Sequence, residues 1–236
     1  MLVRHIPIKE FLQTLSLLSV FFCFGCWSSR SYKLKLLRWL TACLIFYGAV
    51  AQAQPNDWRL YKTAGDVLVE FRRDTNNLLE IRAKTRVSSK AAAFKRLLED
   101  TGNIDKWAPN ANKAELISHP DADTNIVHTY FSAMWPVADR DMVTKSVWMQ
   151  DKESGELTLN VQDVGAQYPT AEGYIRMQQV QALWTLTQQP DGSLLINYQG
   201  QADPAGSLPH FLADKVALKS IFITFERLPT VLQQYQ

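Results

Sequence analysis

The chain has 236 residues, of which 47% are hydrophobic and 20% charged, and its formal net charge is +2. That composition excludes an intrinsically disordered chain and leaves room for one substantial core. The first 53 residues hold six of the 25 Lys+Arg, one of the 23 Asp+Glu and all three cysteines, so the other 183 carry 19 basic and 22 acidic side chains, with neither a nucleic-acid footprint nor thiol chemistry.

Within residues 1–53, Lys33, Lys35 and Arg38 precede the apolar run Trp39–Val50, and Ala51-Gln52-Ala53 follow. A basic stretch, a short apolar stretch and small residues at the −3 and −1 positions form a secretory signal pattern with a cut after Ala53. The competing reading is an anchor that is never cleaved, although the run is short for a span of roughly 20 residues. A second apolar run, Leu12–Trp27, leaves three explanations open: a start codon placed too far upstream, an anchored hairpin, or lipid attachment at Cys26. The expected location is periplasmic or secreted, with an N-terminal membrane anchor if the leader is retained.

Residues 54–236 read as one domain. Asn56–Tyr61 and Val67–Phe71 are strand candidates, and Asn76-Asn77 makes a tight turn. Leu79–Val87 alternates, with Leu79, Ile81, Ala83, Thr85 and Val87 on one face and Glu80, Arg82, Lys84 and Arg86 on the other: a strand packed on one side. Ser88 or Ser89 is placed to cap a helix running to about Asp100, with Ala92, Phe94, Leu97 and Leu98 as its apolar face. Gly102 stops it, and Ile104–Ala108 forms one more turn.

Strands are then expected at Lys113–His119, Asn125–Trp135, Met142–Gln150, Glu156–Val164, Ile175–Thr187 and Leu194–Gln201. They lie too close together for helical crossovers, which predicts an antiparallel meander. Leu208 to about Gln233 closes the chain as a long helix whose Leu218, Ile221, Phe222, Phe225, Leu228 and Leu232 form a broad apolar stripe. Pro229 is expected to kink or divide it. The fold class is therefore α+β, a curved antiparallel sheet wrapped around a long C-terminal helix.

Four segments resemble the START family of lipid-transfer domains. They are Asp105-Lys106-Trp107, then Trp135-Pro136-Val137-Ala138-Asp139-Arg140-Asp141-Met142-Val143, then Gly173-Tyr174-Ile175-Arg176-Met177 followed by Trp184, then Asp203-Pro204-Ala205-Gly206-Ser207-Leu208-Pro209. Their order and spacing cover nearly the whole body. The resemblance implies the helix-grip fold, a nine-stranded antiparallel sheet curled around the terminal helix, and an enclosed apolar tunnel for a sterol, phospholipid, ceramide or related molecule. Two positions depart from the family. Ser146, beside Lys145, stands where sterol-binding members carry a ligand-orienting arginine, and Ser207 stands where several members carry a tryptophan. The ligand class stays open.

Arg140 and Asp141 follow a Pro-containing bend, where an arginine can anchor the chain or touch ligand. His128 shares parity with Ile126, Tyr130, Ser132 and Met134; the alternate set is Val127, Thr129, Phe131, Ala133 and Trp135. Both sets are largely apolar, so parity does not say which faces the interior. Glu172 and Arg176 are read as sharing one strand face about 13 Å apart. Tyr198 can donate to a lipid head, as can Asn197 on the opposite face. Leu208, Leu212, Val216 and Phe222 are candidates for tunnel wall on the terminal helix, and Asp203–Pro209 for its gate. With Ser146 these form the candidate ligand set. For each, an ordinary structural role is the alternative.

No H-E-x-x-H, G-x-S-x-G, P-loop or dinucleotide glycine pattern occurs, and His119, His128 and His210 are scattered. The leading reading is a secreted carrier or sensor of a hydrophobic small molecule that performs no chemistry, uses no cofactor or metal, contacts membranes transiently and works as a monomer. An aromatase/cyclase-type enzyme is the first alternative, with His128 or Glu172 as its acid or base. A ligand-free interaction module is the second.

Overall fold

The computed structural model describes residues 57–133 and 137–236. Ten strands form a single sheet: β1 (Arg59–Ala64), β2 (Val67–Arg73), β3 (Leu79–Val87), β4 (Ala111–Asp121), β5 (Thr124–Phe131), β6 (Asp139–Gln150), β7 (Leu157–Asp163), β8 (Tyr174–Arg176), β9 (Gln178–Gln188) and β10 (Leu194–Asp203). Their spatial order is β1-β2-β3-β10-β9-β7-β6-β5-β4, and β8 pairs with β6. Among the described residues three α-helices accompany it: α1 (Ala91–Glu99), the single turn α2 (Ile104–Trp107) and α3 (His210–Val231). This is the expected helix-grip arrangement.

The alternation in β3 is borne out residue for residue. Leu79, Ile81, Ala83, Thr85 and Val87 are all buried, while the intervening charged residues are not. The core lies between this inner face and the helices. Phe94 and Leu97 of α1 and Phe225 and Leu228 of α3 are fully enclosed in it. The Phe225 ring stacks on Trp184 at 5.7 Å with an interplanar angle of 4°. On the outer face Trp58 lies between the guanidinium groups of Arg72 and Arg82, at 4.5 and 4.4 Å.

Several expectations need correction. The entry strand begins at Arg59 rather than Asn56, after the clamped Trp58. Neither Ser88 nor Ser89 caps α1: Lys90 is the N-cap, and the Ser89 hydroxyl accepts from Gln236 Nε2 at 3.0 Å. Ala93 is buried in place of Ala92. The strand read as Asn125–Trp135 ends at Phe131. The Ala133 N–H turns to the Asp139 carboxylate at 2.8 Å instead of continuing the ladder. Trp135 and Pro136 lie outside the described residues.

The segment Ile175–Thr187 is two strands. Tyr174–Arg176 runs parallel to Asp139–Asp141, and the Met177 N–H bonds the Asp141 carbonyl at 2.8 Å. Gln179, the second residue of β9, has φ 52° and bends the start of that strand. The sheet is therefore not a pure antiparallel meander, and it has ten strands rather than nine. Pro229 lies inside the last turn of α3 and does not divide it. A proline that late removes one hydrogen bond near an end where the ladder is about to stop.

Candidate functional site

The pairing registers settle which residues look inward. Trp148 is opposite Leu159, Leu159 opposite Trp184, and Trp184 opposite Tyr198. These large side chains form one row across the inner face and pack on Phe94 and Phe225. Two residues along each strand, the next inward row is Asn125, Ser146, Val161, Ala182 and Gly200. Side-chain size drops across four neighbouring strands at one level, from Trp-Leu-Trp-Tyr to Ser-Val-Ala-Gly. The floor of the interior therefore falls away there.

The helix spans this step. Phe225 sits at the level of the large row, against Trp184 and Tyr198. Asp214 sits one row beyond the small row, held by an ion pair with Arg73, which is opposite Leu79. Ala217, Leu218 and Ile221 lie between them along the helix; Leu218 is part of the core, and Ala217 and Ile221 pack against it. The inner face thus steps from large aromatic side chains to small, partly accessible ones, and this step is the candidate furrow.

The Tyr198 hydroxyl points into this space. Its ring lies over Gly200, where an added Cβ would stand 2.7 Å from Tyr198 Cζ. An interior glycine in a strand often marks such a close approach. The hydroxyl has no hydrogen-bond partner among the described residues, and burial pushes the phenol up to about 12. Ser146 Oγ donates to the Asn125 carbonyl at 3.4 Å, which is long, and the buried Asn125 Oδ1 has no partner. The furrow is thus apolar with a few neutral polar groups at its floor.

Beyond it the inner face of β4–β6 opens to solvent. Leu116, opposite Val127, is 44% exposed, and Phe131 and Met142 are half-buried. Arg140 stands at this mouth, where Nε donates to the Pro204 carbonyl at 3.1 Å and Nη1 to the Ala138 carbonyl at 2.5 Å. It therefore ties the segment before α3 to the start of β6.

The comparisons with known proteins agree with this geometry. The START domain family profile matches residues 48–236. The chain belongs to the START domain family. A STAR-related lipid transfer protein from Xanthomonas axonopodis has the same fold, at 28% identity and a TM-score of 0.68, covering 75% of this chain and 98% of that one. Human StAR-related lipid transfer protein 5 shares the fold at 17% identity and a TM-score of 0.68, covering 88% and 99%. An uncharacterized Pseudomonas aeruginosa protein is 24% identical over 194 residues, 82% of this chain and 95% of the relative.

Within this START domain the sequence candidates fall in different places. Ser146 and Tyr198 both face the furrow from strands β6 and β10, with β7 and β9 between them, Arg140 is at the mouth, and Leu208 is half-buried in the segment before α3. Phe222 is buried against Tyr61, at 6.5 Å between rings, with Lys62 over it. Val216 lies nine residues from Phe225, half a turn round the helix, so it projects away from the sheet, as does Leu212; they are 54% and 39% exposed. Glu172 is exposed outside any strand, so it shares no strand face with Arg176.

His128 and Arg176 lie on the outer face, brought together by Asp141, which is fully enclosed. The Asp141 carboxylate accepts Arg176 Nε at 3.0 Å, Arg176 Nη2 at 2.8 Å, His128 Nε2 at 2.7 Å and the Ala171 N–H at 3.4 Å. Burial pushes this carboxyl up, but the bonds from Arg176 and His128 outweigh that and hold it below the usual range. An ionised carboxylate only accepts, so His128 carries its proton on Nε2. The Tyr130 hydroxyl stands 3.0 Å from His128 Nδ1 and 2.9 Å from Glu115 Oε2. Neither group on which the enzyme alternative relied faces the furrow, and no group of three or more His, Cys, Asp and Glu among the described residues is placed to hold a metal.

Sequence reasoning missed the small row, because it draws one residue from each of several strands. It also missed Asp141 as a hub. The one available signal was Gly200, an isolated glycine inside a strand.

Proposed function

We propose that this chain binds a hydrophobic small molecule in the furrow between the sheet and α3, and carries it between membranes without altering it. The observation that carries the reading is the small, partly accessible row Ser146-Val161-Ala182-Gly200 on the inner face, next to the large aromatic row and continuing into the partly exposed inner face of β4–β6. The resemblance to a STAR-related lipid transfer protein supports it. Filling the furrow stabilises the complex by roughly 25 cal/mol per Å2 of apolar area removed from water. Ser146 and Tyr198 are the orienting contacts, Arg140 and Leu208 border the mouth, and Phe222 holds the helix against β1.

The body acts as a monomer that touches membranes transiently, after export to the periplasm or the medium under the direction of the first 53 residues. The test is uptake from vesicles. Phosphatidylcholine vesicles doped with dehydroergosterol, a pyrene fatty acid or pyrene-labelled phosphatidylcholine are mixed with the protein. Saturable uptake of one probe, abolished by Ala182→Phe, is expected. Uptake of none, or unchanged uptake by the folded variant, contradicts the reading.

A further inference from the structure

Arg140 and Asp141 are adjacent in β6 and point to opposite faces of the sheet. Each ties down a different segment. Arg140 bonds the Pro204 carbonyl on the inner side. Asp141 holds Arg176, which fastens the long connection between β7 and β9. All five guanidinium N–H groups are used: Nε and one Nη2 proton on Asp141, the other Nη2 proton on the Pro169 carbonyl at 2.8 Å, and Nη1 on the carbonyls of Gly165 at 2.6 Å and Tyr168 at 3.3 Å. The Ala171 N–H bonds the same carboxylate. The two tethered segments then meet each other. Gly206, at φ 70°, lies so close to Ile175 that an added Cβ would stand 3.1 Å from Ile175 Cδ1. One dipeptide thus fixes both segments beside the mouth, and the network His128-Tyr130-Glu115 braces it from the outer face.

We propose that the Asp141 hub is the latch of the mouth: His128 and Arg176 are positioning residues that, through Ile175 and Gly206, set how fast a bound lipid enters and leaves. This rests on the lipid-binding reading. The furrow lies on the other side of the sheet from His128, so loosening the latch leaves the ligand contacts intact. Binding and release then accelerate together, and equilibrium affinity changes little. A hydrogen bond from His128 to a buried carboxylate, lost on opening, corresponds to a change of about tenfold, or about 1.4 kcal/mol, in the opening equilibrium.

The experiment uses the full chain with His128→Leu, which removes the donor while keeping an apolar side chain, and Arg176→Lys, which keeps the charge but not the five-way fork. Backbone hydrogen exchange is measured without ligand, and release of whichever vesicle probe the wild type takes up is followed by stopped flow. The expected result is faster exchange in residues 164–177 and 203–209 together, with probe release about tenfold faster and affinity within twofold of wild type. Faster exchange confined to 164–177 overturns the coupling, as does unchanged release or an affinity loss equal to the gain in release rate. A wild-type chain that takes up no probe overturns the lipid reading instead, and hydrogen exchange still decides the coupling. If His128→Leu fails to fold, Tyr130→Phe removes the brace one step further out and is judged on the same two readouts.

Discussion

Replacing Tyr198 by phenylalanine separates the stability of the fold from the binding of a ligand. The ring contributes packing, at 4.7 Å from Trp184 and 6.4 Å from Phe225, and phenylalanine keeps all of it. What is lost is one hydroxyl with no hydrogen-bond partner among the described residues, in a place desolvated enough to push the phenol up to about 12. Tyr198 is only partly buried and its hydroxyl is not sealed from water, so its removal leaves the stability of the empty protein within about 1 kcal/mol of wild type. In a domain of this size that keeps Tm within about 2–4 °C of wild type. The loaded protein responds differently. A neutral hydrogen bond between the hydroxyl and a ligand head contributes about 0.5–1.5 kcal/mol, so affinity falls about 2- to 12-fold. Thermal unfolding of the empty protein and a fluorescence titration with the probe that binds wild type read the two effects apart. A Tm lowered by more than about 4 °C in the empty variant, or unchanged affinity, would refute the reasoning.

Three further outcomes follow from the geometry. Gly200→Ala places a Cβ 2.9 Å from the backbone carbonyl of Gln181 as well as against Tyr198, and backbone cannot retreat as a side chain can; urea unfolding should show a loss of about 1–3 kcal/mol, together with weakened probe binding. Trp184→Ala removes the ring shared by Phe94, Tyr198 and Phe225 and should cost about 3–5 kcal/mol in the same assay. Asp141 has its carboxyl held below the ordinary value, so its stabilisation is complete above an unfolded pKa of about 3.9 and is lost as pH falls through the lower folded value. Wild-type stability should therefore fall more steeply with acid than that of Asp141→Asn below about pH 4, and parallel acid limbs would contradict this.

Much of the fold was legible in the sequence, for reasons visible in single segments. Leu79–Val87 alternates because one face is packed and the other wet, and α3 shows its stripe because it is covered on one side only. β5 and β6 were harder. The inward set Val127, Thr129 and Phe131 and the outward set His128 and Tyr130 differ little in polarity, because the outer face is itself covered by the connection between β7 and β9. Only the register, with Asn125 opposite Ser146 and Tyr130 opposite Asp141, separates them. The break after Arg176 depends on a backbone bond to a residue 36 positions earlier, which no local pattern carries. The site was less legible still. The furrow exists because Ser146, Val161, Ala182 and Gly200 come level across four strands, and within single strands only Gly200 carries any mark. Leu212 and Val216 look in sequence like interior helix residues, yet helical geometry turns them away from the sheet.

The central claim is that the furrow carries a hydrophobic molecule. Native mass spectrometry of the protein purified from its own cells, followed by solvent extraction of the bound material, tests it most directly. The account predicts one stoichiometric lipid-like molecule, absent from an Ala182→Phe variant prepared in parallel. A folded protein that carries nothing and takes up no sterol, fatty acid or phospholipid from vesicles would contradict it.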